Sequence, residues 1–321
     1  MKKNKFKNFL IFSLLFSFIS CNTSKVYVDV LKPPSINLGI EYDTILVFNR
    51  TKIKTPKEGK QFIYKLFFAK NFKRDITASE ICIDAFINSV NDSGKKNAIK
   101  IFNENISASD GFFIPLELEK NEIDLLSSNH NNNILVSLDM YKSGYVKEYI
   151  NEETYEYITI STTWRTYNIS DYTVIDQFTN EYCFETKYIK PNNRFKGCFK
   201  LFFAVSEIVG YDYASRISPT WFTEPRYIYK TYDKNLIVAS KFAQQNHWDE
   251  AAEIWLKLSE SENEKHSSFS LFNLAVYNEI KGNIDLSIDY VKKAYKIYPT
   301  KIMYDYLIIL QKRKEEIQIL D

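Results

Sequence analysis

Apolar and polar positions along the chain change their period near residue 231, from the two of strands to the ~3.6 of helices, and that change divides the sequence. Within Ile36 to Arg50 the residues Ile45, Leu46, Val47 and Phe48 run apolar without a break, which predicts a strand buried on both faces. After a Lys-rich polar stretch, Thr77 with Glu80 three residues on forms a capping box, and Ile81, Ala85, Phe86 and Val90 give the apolar stripe of a helix. The loop Asn91 to Asn97 ends it, and a short strand at Ala98 to Phe102 and a helix at Leu118 to Leu126 follow. Three segments then alternate strictly: Ile134, Val136, Leu138 and Met140; Ile158, Ile160, Thr162 and Trp164; Tyr172, Val174, Phe178, Tyr182 and Phe184. Alternation of this kind predicts a half-buried antiparallel sheet with one wet side. A helix over Lys200 to Ile217, apolar at Leu201, Val205, Ile208 and Val209, is placed to cover the dry side, and a strand over Thr220 to Lys230 closes the region. The expected fold class is α+β: a mixed α/β sheet domain over 36–230, then an all-α domain over 231–321.

From Asn235 to Pro299 one helix-turn-helix pattern occurs twice, as Val238 to Leu258 and Leu274 to Pro299. Aligning Asn246 with Gly282 puts Trp248 over Ile284, Ala251 over Ser287, Trp255 over Val291 and Leu258 over Ala294, an offset of 282 − 246 = 36 residues. That period belongs to helical repeats. The second copy resembles a tetratricopeptide repeat: Leu274 and Ala275 match the Leu and small residue of its first helix, Gly282 its turn, Ala294 its second-helix alanine and Pro299 its terminal proline. Ser287 stands where that family has Ala, and Asn246 replaces the turn glycine in the first copy. Two repeats are fewer than the ~3 that a free solenoid needs. The missing surface is therefore expected from the α/β domain at one end and, at the other, from a helix over Lys301 to Glu316 with its tail, Lys312 to Glu316, in solvent. The resemblance implies a protein partner held along the concave face of the first helices, at Leu236, Ser240 and Gln244 in one copy and Phe272, Val276 and Glu279 in the other. The alternative for Phe272 and Val276 is burial against the α/β domain.

At the N-terminus Lys2, Lys3, Lys5 and Lys7 precede an uncharged, mostly apolar run, Phe9 to Ser20, of 12 residues. A membrane-spanning helix needs ~20. A charged stretch followed by a short apolar one is instead the pattern of a signal peptide, here 1–20. Phe18, Ile19, Ser20 and Cys21 resemble a bacterial lipobox; Ser20 fits the small position, while Phe18 stands where Leu is usual. The resemblance implies that Cys21 is acylated and ties the chain to a membrane, with 21–35 as a tether stiffened by Pro33 and Pro34. No acidic run follows Cys21, so the expected address is the outer membrane, facing the periplasm.

Net charge is +2, which argues against nucleic acid as a partner. His130, His247 and His266 lack the spacing of a zinc helix, there is no GxSxG elbow, and Asn91 to Lys95 reads as a turn and not a phosphate loop. Glu152, Glu153 and Glu156 read as a solvated cluster. No cofactor, metal or small-molecule substrate is therefore expected. Cys183 and Cys198 flank a loop, and either a disulfide between them or two buried free thiols fits the sequence. The lipobox-like cysteine, α/β domain and tetratricopeptide-like pair together resemble a Bacteroidota lipoprotein family. They imply a lipid-anchored, non-enzymatic envelope scaffold that recruits a protein. Two alternatives stand beside it. One is an oligomeric secretion or pore component, since the element order is similar to the TolB N-terminal and curli-secretion lipoprotein domains; Asp176 and Asn180 on an apolar strand face argue against spanning. The other is an enzyme with a dispersed active site.

Overall fold

The structure, a computed structural model, describes residues 23–39, 41–51, 69–103, 106, 114–128, 130, 132–190, 199–230 and 233–320. In chain order these form β1 (Thr23–Lys32), β2 (Thr44–Asn49), α1 (Ala69–Asp92), β3 (Asn97–Ile101), α2 (Lys120–Ser127), β4 (Ile134–Ile150), β5 (Glu153–Asn168), β6 (Thr173–Glu185), α3 (Lys200–Ile217), β7 (Thr220–Tyr229), α4 (Lys234–Gln244), α5 (Trp248–Ser259), α6 (Glu264–Ile280), α7 (Ile284–Ile297) and α8 (Lys301–Leu320). The fold is α+β. The chain divides into two compact units, Leu31–Trp221 and a second made of Met1–Val30 with Phe222–Asp321.

The first unit is a five-stranded sheet in the order β3-β2-β4-β5-β6. Strand β2 runs parallel to both β3 and β4, while β4, β5 and β6 are antiparallel, so the sheet is mixed. Because β2 is flanked on both edges and covered on both faces, Ile45, Leu46 and Val47 are wholly buried, as their unbroken apolar run predicts. Ile45 and Val47 face α1 and α3 in a core built around Phe86, Trp164 and Tyr213. Those rings stack, with Trp164 and Tyr213 centroids 4.6 Å apart. Leu46 and Phe48 face the opposite way, toward Ile123 and Leu126 of α2.

Four sequence expectations about the first helix and the strands need correction. Helix α1 begins at Ala69, so the capping pair Thr77 and Glu80 lies inside it. The added turns carry Arg74 and Asp75, which hold β4: Arg74 Nη2 donates to the Ser143 carbonyl at 2.8 Å, and Ser143 Oγ donates to Asp75. Strict alternation fails in β4, where Asp139 is an extra residue between the pairs Leu138–Trp164 and Met140–Thr163. A bulge shifts the parity by one, so Tyr141, and not Met140, joins the core that holds Leu138. In β6 a second irregularity falls at Ile175, and it sends Tyr172 and Val174 to the α2 side while Phe178, Tyr182 and Phe184 face α3. Finally, the stretch read as a tether is strand β1, and β7 pairs with it in a separate two-stranded sheet.

The second unit holds β1 up to Val30, β7 from Phe222 and helices α4 to α8. Small residues line the helix contacts: Ala239, Ala251, Ala275, Ser287 and Ala294 are fully buried. A larger side chain at any of them would force the helices apart. The α4–α5 and α6–α7 turns are alike, with Asn246 at φ 62° and Gly282 at φ 79°. His247 N–H bonds the Phe242 carbonyl at 2.9 Å, and Asn283 N–H the Asn278 carbonyl at 2.8 Å. The tail of α8 is not wholly solvated, since Glu316 is buried and pairs with Arg313 at 2.6 Å.

Candidate functional site

Helices α4 and α6 carry the six residues expected to form an open groove. Leu236, Ser240, Phe272, Val276 and Glu279 are instead buried, and only Gln244 is exposed. The chain's own ribbon fills the position of a partner. Both amide groups of Asn273 on α6 bond the backbone of Tyr229 on β7: the Tyr229 N–H donates to Oδ1 at 2.7 Å, and Nδ2 donates to the Tyr229 carbonyl at 2.8 Å. One side chain thus replaces a neighbouring strand for that residue. The Tyr229 ring stacks on Phe269 with centroids 3.9 Å apart and meets Phe272 edge-on. On β1, Ser24 reaches Ser240 of α4 at 3.3 Å, and Val26 joins the same core.

The strongest polar feature of this wall is Arg226 against Glu279. Its guanidinium makes two 2.8 Å bonds to the carboxylate, which also accepts from Tyr306 Oη of α8 at 2.7 Å. Their side chains are only 4% and 2% exposed, so the charges depend on each other. Burial, with the Glu279 charge beside it, raises the Tyr306 phenol well above its ordinary range. These contacts correct the expected groove: Glu279 is a ligand for the chain's own Arg226.

In the sheet unit, polar residues gather at the C-terminal end of β2 and at the neighbouring bulge of β4. On the α1 side Asn49 bonds Ser79 at 3.2 Å and Glu80 at 2.8 Å, and Thr51 bonds Asn49 at 2.7 Å. On the other side the Asp139 carboxylate, turned inward by its bulge, accepts from Ser137 at 2.7 Å and from Arg165, with Arg50 at 3.8 Å. Burial pushes the Asp139 carboxyl up, opposed by the Ser137 hydroxyl and the two guanidinia. Arg165 also donates to Gln177 and to the Pro115 carbonyl, and Arg50 to the Leu116 carbonyl. These bonds clasp backbone to sheet. Asp176, whose place on an apolar strand face bears on the spanning alternative, is held by Arg216 at 2.8 Å and 3.0 Å.

A family model described as a domain of unknown function, DUF8603, matches residues 42–229, more than half of the chain. The chain belongs to this family. A second model, also a domain of unknown function, DUF6340, matches residues 238–312. No curated protein matches the sequence. Among solved structures, a PelC dodecamer from Paraburkholderia phytofirmans aligns with 9% identity over 60% of this chain and 96% of that one, at a TM-score of 0.30. A single-substitution variant of that dodecamer, with methionine in place of one leucine, aligns with 10% identity over 61% and 99%, at 0.29. Likeness at this level carries nothing over to this chain.

The DUF8603 match spans the whole sheet and ends at Tyr229, the residue that docks on α6. Within the DUF8603 region Cys183 is exposed on β6, while its suggested partner Cys198, like Cys21, lies outside the described residues. Cys82 is buried in α1, and burial holds its thiol far above the ordinary range. No group of three or more His, Cys, Asp or Glu among the described residues could hold a metal ion, and no described helix is long and apolar enough to cross a membrane. The DUF6340 region carries a surface that the sequence reading missed. A recess of about 390 Å³ opens at the α7–α8 turn, lined by Tyr295, Pro299, Thr300, Lys301 and Tyr304. The signal was present as apolar residues of α8 left over from its buried stripe: Tyr304, Ile308 and Ile309 are exposed, while Met303, Tyr306 and Leu310 are buried.

Proposed function

We propose that the protein is a lipid-anchored envelope protein that holds another protein on tetratricopeptide-like hairpins, and that the partner docks on the outer face of the last hairpin. One observation supports the repeat reading most directly. Helix starts Trp248 and Ile284, left-handed turn residues Asn246 and Gly282, and the turn hydrogen bonds at His247 and Asn283 all recur at the 36-residue offset of the sequence pattern, since 284 − 248 = 36 and 283 − 247 = 36. The inner face is committed to β1 and β7, so the site moves to α7 and α8. A terminal helix of a repeat stack ordinarily presents a polar outer side. Here Tyr304, Ile308 and Ile309 of α8, with Tyr295 and Ile297 of α7, are exposed instead. Aromatic side chains around a recess are the usual anchors of protein recognition, and Tyr295 and Tyr304 flank this one with ring centroids 6.5 Å apart. The test is a photo-crosslinking residue placed at Tyr304 in cells. The reading expects one dominant adduct that vanishes in a Tyr295→Lys variant and never forms from Glu260, the residue that follows α5. Equal, diffuse adducts from both positions sink it.

A second reading, self-assembly through the β4–β5 hairpin, has one observation of its own. Strand β4 pairs with β2 only as far as Leu138, and both faces of residues 145–150 are exposed, including Tyr145, Tyr149 and Ile150. A long exposed strand edge usually meets another strand. Mass photometry of the chain from residue 22 onward decides the matter: a monomer up to micromolar concentration removes this reading.

A further inference from the structure

The stretch that the sequence suggests as a tether is strand β1, so an acyl group on Cys21 would have no linker. Ser24 is buried and lies 3.3 Å from Ser240 of α4. Only Asn22 and Thr23 lie between Cys21 and Ser24, a reach of at most about 11 Å at full extension. An acyl group on Cys21 is therefore tied within that reach of Ser24, the residue that meets α4. Four residues of α4, Lys234, Ile237, Val238 and Lys241, are spaced three and four apart, which puts them on one side of the helix. All four are exposed: Ile237 at 37% and Val238 at 43%, with a lysine before and after them. Apolar side chains bracketed by lysines suit one environment well: the carbon chains enter the headgroup layer while the ammonium groups reach lipid phosphates.

We propose that the helical unit rests directly on an anionic bilayer, with the Lys234, Ile237, Val238 and Lys241 side of α4 against the lipid headgroups. The proposal rests on acylation of Cys21 and deepens the lipid-anchor reading by naming the surface that touches lipid. It leaves the α7–α8 recess for the partner.

The full chain, expressed in a bacterium and extracted from its membranes, tests both steps separately. Mass spectrometry of the N-terminal peptide reads acylation of Cys21. The protein is then placed in vesicles of phosphatidylglycerol and phosphatidylcholine containing brominated lipid, with one fluorophore on a cysteine replacing Ile237 or Ile309 in a Cys183→Ser, Cys198→Ser background. We expect several-fold stronger quenching at 237 than at 309, weakened when Lys234→Glu and Lys241→Glu are added. In the unaltered chain, amine labelling of Lys234 and Lys241 should fall on vesicles relative to detergent, while that of Lys301 and Lys312 stays constant. An acylated chain with equally weak quenching at both positions, or with Lys234 and Lys241 as reactive on vesicles as in detergent, overturns the proposal and leaves the anchor standing. Protection of these lysines by a bound protein, in place of lipid, also overturns it. An unmodified Cys21 overturns both.

Discussion

In the sheet unit, α1 and α3 lie on strands from one stretch of chain, Thr44 to Glu185, and they bury an apolar core centred on Phe86, Trp164 and Tyr213. In the helical unit, α4 and α6 lie against β1 and β7, and the contact from Ser24 to Ser240 spans 216 residues. The first surface takes its strands from one stretch and is held mainly by burial. The second brings in a ribbon from far away, and beside its apolar contacts it uses directional polar bonds: Asn273 on the Tyr229 backbone, and Glu279 on Arg226. The difference teaches that a helix face whose sequence suggests a binding groove can be satisfied by its own chain. Burial alone is non-directional and would accept many occupants, whereas the amide and carboxylate contacts select one strand in one register.

The largest expected effect tests that selection. Glu279→Ala removes both carboxylate oxygens from a buried guanidinium and leaves its charge unpaired, with only the Pro225 carbonyl still accepting from it, a change that typically costs about 3–5 kcal/mol. Urea unfolding followed through Trp248 and Trp255 fluorescence should show the helical unit losing that stability. An Arg226→Met, Glu279→Leu pair, which removes both charges, should recover most of it. If the single variant loses under ~1 kcal/mol, the ribbon is held by burial and the contrast between the units disappears.

The matching break in the sheet unit is Gly210→Ala. A Cβ there would stand 2.1 Å from the Cys82 carbonyl oxygen and 2.9 Å from the Ala85 Cβ, because α3 crosses α1 backbone to backbone at this point. Overpacking of a tight contact costs about 1–3 kcal/mol. Here the loss should appear in the near-ultraviolet circular dichroism of the Trp164–Tyr213 stack, with the α4–α8 helices unaffected.

Much of this contrast is legible in the residues, and the part that is not has a physical cause. Helix α3 reads at its observed bounds because apolar residues run through most of its length, although Ile208, placed in its covering stripe, is exposed and Phe202, Tyr213 and Ile217 are buried instead; β2 is readable because four apolar residues in a row cannot alternate. Faces within β4 and β6 escape such a reading because a bulge inserts one residue without any change in composition at Asp139 or Ile175. Strand β1 is hidden for a different reason. Its alternation, Val26, Val28, Val30 inward and Lys25, Tyr27, Asp29 outward, is plain in the sequence, but Pro33 and Pro34 just beyond it suggest a stiff linker. Nothing local indicates that the inner row has a partner more than 200 residues away. The expected groove suffers from the same blindness: Phe272 and Val276 look alike whether a peptide or β7 covers them.

A smaller effect sharpens the comparison inside the helical unit, between its two turns. Gly282 sits at φ 79° with open space around a would-be Cβ, so Gly282→Ala should cost about 1 kcal/mol from backbone conformation alone. Asn246 holds φ 62° with a side chain already present, and Asn246→Gly should change stability by only a few tenths of a kcal/mol. Thermal unfolding of the two variants side by side checks this. A loss at Asn246 as large as that at Gly282 would mean that the turns are not equivalent and that the repeat is only a resemblance of sequence.

The smallest expected effect concerns how the two hairpins are fastened to each other at the surface. Asp249 of α5 accepts from Tyr277 Oη of α6 at 2.8 Å and pairs with Lys281 at 2.8 Å. The hydrogen bond from Lys281, then that from Tyr277, holds the Asp249 carboxyl below its ordinary value of 3.8. An acid whose pKa is lowered by folding stabilises the folded state above the unfolded value, and that contribution is lost as pH falls through the folded one. The parent should therefore be slightly more stable than Asp249→Asn at pH 7, with the gap closing below pH 3.8 as the carboxylate takes up its proton. Because the pair is exposed, salt should shrink the same gap at neutral pH. The buried Arg226–Glu279 pair should respond to added salt far less, since its charges are shielded from solvent ions. A gap that stays constant from pH 7 down to about 2.5, well past the carboxylate's titration, would show that the amide substitution disturbs the start of α5 and that the charge does not join the hairpins.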